Sequence, residues 1–144
     1  MTGTFFSNSI ADTRKIAAQF ASHLSKGDVV QLLGDLGAGK TAFAQCIASA
    51  LGVTRPVTSP TFCIVSEYPT SSNLTLVHMD LYRLSNEDDV LAIGWEDYLS
   101  SGAILLVEWP DRAGSLIPPA AWTVHLSATG EDSRTIRICH ATSS

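Results

Sequence analysis

A short apolar run, Asp28-Val29-Val30-Gln31-Leu32-Leu33, leads directly into Gly34-Asp35-Leu36-Gly37-Ala38-Gly39-Lys40-Thr41. That junction constrains the fold more than any other stretch of the chain. The eight residues match G-x-x-x-x-G-K-[ST], a loop whose backbone amides cradle phosphate oxygens. Gly34 and Gly39 let the backbone curl into a nest of N–H groups, and Gly37 removes a further side chain from it. The nest needs a strand before it and a helix after it, so that the amides sit at the positive end of the helix. Both are present in the pattern. Residues 28–33 read as a buried strand, and Thr41-Ala42-Phe43-Ala44-Gln45-Cys46-Ile47-Ala48-Ser49-Ala50-Leu51 has helical composition and stops at Gly52. Asp35, Leu36, Gly37, Ala38, Gly39, Lys40 and Thr41 are therefore expected to hold a nucleotide. In this motif the lysine reaches the β- and γ-phosphates and the hydroxyl takes a position on Mg²⁺.

The remainder of the chain alternates between helical and strand patterns. Ile10, Ile16, Ala17, Phe20 and Leu24 make an apolar stripe at helical spacing, which predicts a helix over about residues 9–25. Two strand candidates, 62–68 and 74–81, flank the polar turn Pro69-Thr70-Ser71-Ser72-Asn73. So short a connection requires an antiparallel pair, which makes the sheet mixed rather than wholly parallel. Residues 86–100 read as one or two short helices broken near Gly94, and Ala103-Ile104-Leu105-Leu106-Val107 as a central buried strand. Residues 122–128 and 134–140 form a closing strand pair around Thr129-Gly130-Glu131-Asp132. The expected fold is α/β, a single domain over residues 1–144. It is a phosphate-loop NTPase-like three-layer sandwich around one mixed, mostly parallel sheet.

Ligands of open α/β sheets lie outside the carboxyl ends of the strands. The 74–81 strand ends in His78-Met79-Asp80-Leu81-Tyr82-Arg83 and the 103–107 strand in Glu108-Trp109-Pro110, so each apolar strand carries a carboxylate at its tip. From such a position an acid holds Mg²⁺ or orients the attacking water. His78 and Asp80 share a strand face, and a structural histidine bonded beside Asp80 is the favoured reading over a catalytic one. Arg83 is expected to pair with Glu87 or Asp88 rather than to reach phosphate. Trp109 is balanced between buried packing and contact with nucleotide or partner. Thr58-Ser59-Pro60-Thr61 lies where a switch loop would sense a γ-phosphate.

Charge and cysteine content exclude several classes. Charged residues make up 16% of the chain, against roughly 25% in a typical domain, which hints that a partner covers part of the surface. A net charge of −5, with no run of basic residues, argues against a self-sufficient nucleic-acid face. Cys46, Cys63 and Cys139 offer no C-x-x-C pairing. Reduced thiols in a cytoplasmic protein are the simple reading, with no signal-peptide h-region and no membrane span.

Four blocks together are more specific than the loop alone: G-D-L-G-A-G-K-T (34–41), V-T-S-P-T-F (57–62), H-M-D-L-Y-R-L (78–84) and V-E-W-P (107–110). In order and spacing, over nearly the whole chain, they resemble the bacterial TsaE family, also called YjeE. The resemblance implies an ATPase required for threonylcarbamoyl modification of the adenosine beside the anticodon, in tRNAs that read codons beginning with A. It implies docking on a TsaB–TsaD heterodimer, which ATP hydrolysis resets between turnovers, with tRNA met only through that complex. Carried over by motif, Lys40 and the loop amides hold the phosphates of ATP, Thr41 and Glu108 hold Mg²⁺, and Asp80 orders metal and water. Lys40, Asp80 and Glu108 would then form the catalytic set, with 58–61 as the switch and Trp109 beside the nucleotide or partner. Two other readings share the loop: a small nucleoside or nucleotide kinase, and an ATP-binding module without significant turnover. A kinase normally adds an arginine-bearing lid, and Arg83, Arg112, Arg134 and Arg137 are scattered.

Overall fold

The structure, a computed structural model, describes residues 1–35, 38–54, 57 and 65–140. The elements run β1 Gly3–Ser7, α1 Ile10–Ala21, β2 Val29–Leu33, α2 Lys40–Ala50, β3 Val65–Pro69 and β4 Thr75–Asp80. They continue with α3 Glu87–Ala92, α4 Trp95–Ser100, β5 Ile104–Glu108, β6 Trp122–Ala128 and β7 Arg134–His140. Two 3₁₀ turns, Pro110–Arg112 and Gly114–Leu116, link β5 to β6.

All seven strands join one sheet in the order β1-β7-β6-β2-β5-β4-β3. The central block β6-β2-β5-β4 is parallel, and each flank is closed by antiparallel pairing: β3 on β4, and β7 on β6 with β1 on β7. The sheet is mixed, as the hairpin required, with its parallel part confined to the four middle strands. Parallel strands are covered on both faces, which explains why β5 is buried at every position. On one face Phe20 of α1 and Phe43 and Ile47 of α2 pack on Val30, Leu32, Leu76 and Leu106. On the other, Val90 of α3 and Trp95 of α4 pack on Val29, Val77, Met79 and Leu105. Each of these side chains contributes about 1.5–3 kcal/mol when fully buried. Together they fix the carboxyl ends of β2, β4 and β5 side by side.

Local chemistry sets the helix boundaries. Ser9 caps α1 by accepting from the Asp12 amide at 3.1 Å, while Asp12 accepts from the Asn8 amide at 3.0 Å. The break near Gly94 is real: Gly94 takes φ 94° and separates α3 from α4. The N-terminal strand β1 has no counterpart in the sequence reading.

Candidate functional site

The loop closes between β2 and α2. Gly34 is obligatory for space as well as conformation, since a Cβ there would meet the Leu126 carbonyl oxygen at 2.6 Å and φ is 149°. Gly39 stands at the N-cap of α2 with φ 97°, in the left-handed region that glycine tolerates. The amino end of α2 has no side-chain cap and no acidic residue in its first turn. Its positive end is therefore left for an external anion. Lys40 is buried to 6% exposure, and its Nζ donates to the Gly34 carbonyl at 2.8 Å, closing the loop from end to start. The same ammonium lies 4.1 Å from the centroid of the Trp109 ring. Asp35 is exposed and Ala38 buried, linked by an Ala38 amide to Asp35 carbonyl bond of 2.9 Å, and Thr41 is half-buried. Leu36 and Gly37 lie outside the described residues, as do the proposed switch 58–61 and Cys63.

Strand register brings the two acids together. Asp80 of β4 stands opposite Glu108 of β5, and Glu108 stands opposite Leu32 of β2, two residues before the loop begins. Glu108 is buried to 3% exposure and His78 to 0%, and His78 Nε2 lies 2.6 Å from Glu108 Oε2. The histidine partner is thus Glu108 on the neighbouring strand, not Asp80. A one-strand reading could place His78 and Asp80 on one face, but it could not supply the diagonal neighbour across the sheet. Facing a carboxylate oxygen, His78 Nε2 acts as the donor, and Nδ1 meets no partner among the described residues. Asp80 is half-buried and accepts from the Tyr82 amide at 3.0 Å, which fixes its carboxylate at the strand tip. Arg83 is exposed and enters no ion pair among the described residues, neither with Asp88 nor with Glu87, whose carboxylate accepts from Ser115 N and Oγ, both at 2.6 Å.

Trp109 is the one non-glycine residue with positive φ among those described, at φ 57° and ψ 53°, just before Pro110. That geometry is disfavoured ahead of proline and carries strain. It is held by the ring's contacts with Lys40 and with Tyr82, whose ring centroid is 4.9 Å away and whose side chain is largely exposed.

Among the described residues no three Asp, Glu, His or Cys side chains converge as a metal cage. A Mg²⁺ ion does not need one, because it takes one or two carboxylates together with substrate phosphates and water. A threonine hydroxyl in the first turn of α2 and a buried carboxylate at the end of β5 are the kinds of donor that fit that requirement.

A cavity of about 420 Å³ opens next to the loop. Its walls are Asn8, Ser9, Ile10 and Thr13 at the start of α1, Ala38, Gly39 and Ala42 from the loop and α2, Leu126 of β6, Glu131 and Asp132 from the β6–β7 turn, and Arg134 at the start of β7. Of these, sequence reasoning assigned only Ala38 and Gly39, to nucleotide binding, since the segments meet only through tertiary structure. Arg134 donates from Nε to the Ala38 carbonyl at 3.0 Å, so a residue left without a role in the sequence touches the loop.

No helix among the described residues is long and apolar enough to cross a membrane. A family described as "Threonylcarbamoyl adenosine biosynthesis protein TsaE" matches residues 7–136. A Bacillus subtilis tRNA threonylcarbamoyladenosine biosynthesis protein TsaE is 40% identical over 125 residues, covering 87% of this chain and 77% of the relative. The Treponema pallidum protein of the same description is 35% identical over 132 residues, covering 92% and 96%. The crystal structure of Bacillus subtilis YdiB superposes with a TM-score of 0.81 at 32% identity, covering 98% of this chain and 86% of that one. Loop, strand-end acids and whole-chain similarity agree, and the chain belongs to the TsaE family of tRNA threonylcarbamoyladenosine biosynthesis proteins.

Proposed function

We propose that this chain is a Mg²⁺-dependent ATPase that acts on a TsaB–TsaD-type complex during threonylcarbamoylation of tRNA. One observation carries the reading. The uncapped loop with Lys40 and the paired carboxylates Asp80 and Glu108 meet at the carboxyl ends of three adjacent strands. Phosphoryl transfer to water needs positioned charge more than covalent chemistry, and those groups supply it. The loop amides over residues 35–41 bind the phosphates, and Lys40 leaves the Gly34 carbonyl for the β- and γ-phosphate oxygens. Thr41 and Glu108 would hold Mg²⁺, with the Glu108 carboxylate held in place by His78. Bound Mg²⁺ supplies charge neutralisation at the phosphates. Asp80, beside Glu108 on the same face of the strand pair, orders water. The 420 Å³ cavity beside Ala38 and Gly39 accepts the nucleoside, with Ile10, Ala42 and Leu126 as its apolar walls.

Among the described residues no arginine of β2, β4 or β5 serves as a finger, and in this reading turnover of the isolated chain is slow and the partner completes it. The segment 58–61 and the strand ends Asp80–Arg83 and Glu108–Trp109, of which Tyr82 and Arg83 are exposed, are the docking segments of this reading. Phosphate release from ATP, measured with and without Mg²⁺ and with and without a purified TsaB–TsaD heterodimer, tests this. The expected result is slow Mg²⁺-dependent release that the heterodimer accelerates. Release that is absent in every condition overturns the ATPase assignment.

A further inference from the structure

The guanidinium of Arg134 is fixed on both sides. Nε donates to the Ala38 carbonyl at 3.0 Å, and Nη1 donates into the β6–β7 turn, to the carbonyls of Ser133 at 2.9 Å, Gly130 at 3.2 Å and Glu131 at 3.4 Å. The Ala38 carbonyl and the Gly39 N–H belong to one trans peptide and point in opposite directions. Whatever holds the carbonyl outward therefore aims the Gly39 N–H inward. Among the described residues no acceptor meets that N–H, while the neighbouring Ala38 N–H is used by Asp35.

This peptide is the vulnerable one in the nest. Gly39 stands at φ 97° and glycine adopts either sign of φ at little cost, so the Ala38–Gly39 plane can rotate. A rotated plane would point a carbonyl oxygen, in place of an N–H, at the phosphate position. A cation on the carbonyl opposes that rotation and also polarises the peptide, which strengthens the N–H as a donor.

We propose that Arg134 is a positioning residue that locks the Ala38–Gly39 peptide of the phosphate loop in its anion-binding orientation. It acts from the outer side of the loop and does not touch the phosphates. The inference rests on the nucleotide-binding reading above and adds to it a residue from the far end of the chain. It also makes the β6–β7 turn a support of the loop, because the turn carbonyls hold the guanidinium in place.

The test is calorimetry of ADP and of a non-hydrolysable ATP analogue with wild type, Arg134→Met, Arg134→Lys and Lys40→Ala. Methionine keeps much of the aliphatic stem and removes every donor. Loss of a hydrogen bond from a charged group predicts weakening of about tenfold or more by Arg134→Met. ADP and analogue should weaken alike, lysine should recover part of the loss, and the melting temperature should change little. In ¹⁵N spectra the Gly39 amide of wild type should shift on adding ADP, and in Arg134→Met that shift should shrink. Affinities within twofold of wild type in Arg134→Met overturn the lock. A loss confined to the ATP analogue also overturns it, in favour of a direct γ-phosphate contact. Should Arg134→Met fail to fold, the wild-type Arg134 Hε decides: slow exchange supports the lock, and exchange at the rate of a free guanidinium overturns it. Wild-type ADP binding that ignores Lys40→Ala would instead sink the nucleotide site itself, a distinguishable failure.

Discussion

Replacing His78 with leucine probes what the buried His78–Glu108 pair is for. The hydrogen bond spans 2.6 Å between side chains that are 0% and 4% exposed. Removing the donor strands a carboxylate away from water, which for a buried pair costs about 3 kcal/mol or more. At about 2–4 °C per kcal/mol for a domain of this size, the melting temperature should fall by about 6–12 °C. Glu108→Leu leaves both imidazole nitrogens buried without partners, a penalty of about 1–3 kcal/mol. The double variant removes both polar groups at similar volume, and such replacements are near neutral or stabilising. A double-mutant cycle by thermal or urea unfolding should therefore show the double variant near wild-type stability and above His78→Leu, with a coupling of about 4–6 kcal/mol, the two single penalties taken together. It should also have lost Mg²⁺-dependent turnover. That combination means the pair is retained for the site at the expense of the core. Single-variant penalties that simply add would refute the reasoning, and so would a double variant with wild-type turnover.

Other consequences follow from the same geometry. Lys40→Ala should fold and lose at least about 1.5–3 kcal/mol of ATP affinity, more than tenfold, by calorimetry. Glu108→Ala should raise the Mg²⁺ concentration needed for turnover, whereas Asp80→Ala should lower the rate at saturating Mg²⁺; an unchanged Mg²⁺ titration for Glu108→Ala would remove it from the metal set. Gly34→Ala should destabilise the fold by about 1–3 kcal/mol in urea unfolding, because its Cβ meets the Leu126 carbonyl at 2.6 Å. Hydrogen bonds from Ser115 hold the Glu87 carboxyl below its usual range. Stability from that contact is present above the unfolded-state value near 4.5 and is lost as pH falls through the lower folded-state value. Glu87→Gln should therefore flatten that acid limb of a stability-versus-pH profile.

Much of this architecture is written locally. Strand, glycine loop and helix form a contiguous pattern, and β2 and α2 lie within a residue of where it places them. The polar turn at 69–73 dictated an antiparallel hairpin, and β3 and β4 pair that way. The closing strand pair expected over 122–128 and 134–140, around the turn 129–132, coincides with β6 and β7 to the residue. The missed features depend on lateral or distant contact. β1 is a short edge strand that pairs, among the described residues, with β7 at the other end of the chain, and five residues carry no signal of that pairing. His78 finds Glu108 only through the β4–β5 register. Arg134 reaches the loop because β7 starts beside the cavity, and Trp109 takes its left-handed backbone under contacts from Lys40 and Tyr82. The carboxylates were legible as strand-end acids, but the histidine behind one of them was not.

The central claim is that ATP turnover at this loop drives repeated cycles of a TsaB–TsaD-type complex. Threonylcarbamoylation of tRNA by the purified heterodimer, counted as product per heterodimer over time, measures that directly. Wild-type chain with ATP and Mg²⁺ should sustain many turnovers, while Lys40→Ala, or omission of the chain, should leave the reaction near a single turnover. Sustained modification with Lys40→Ala, or without the chain at all, would contradict the account.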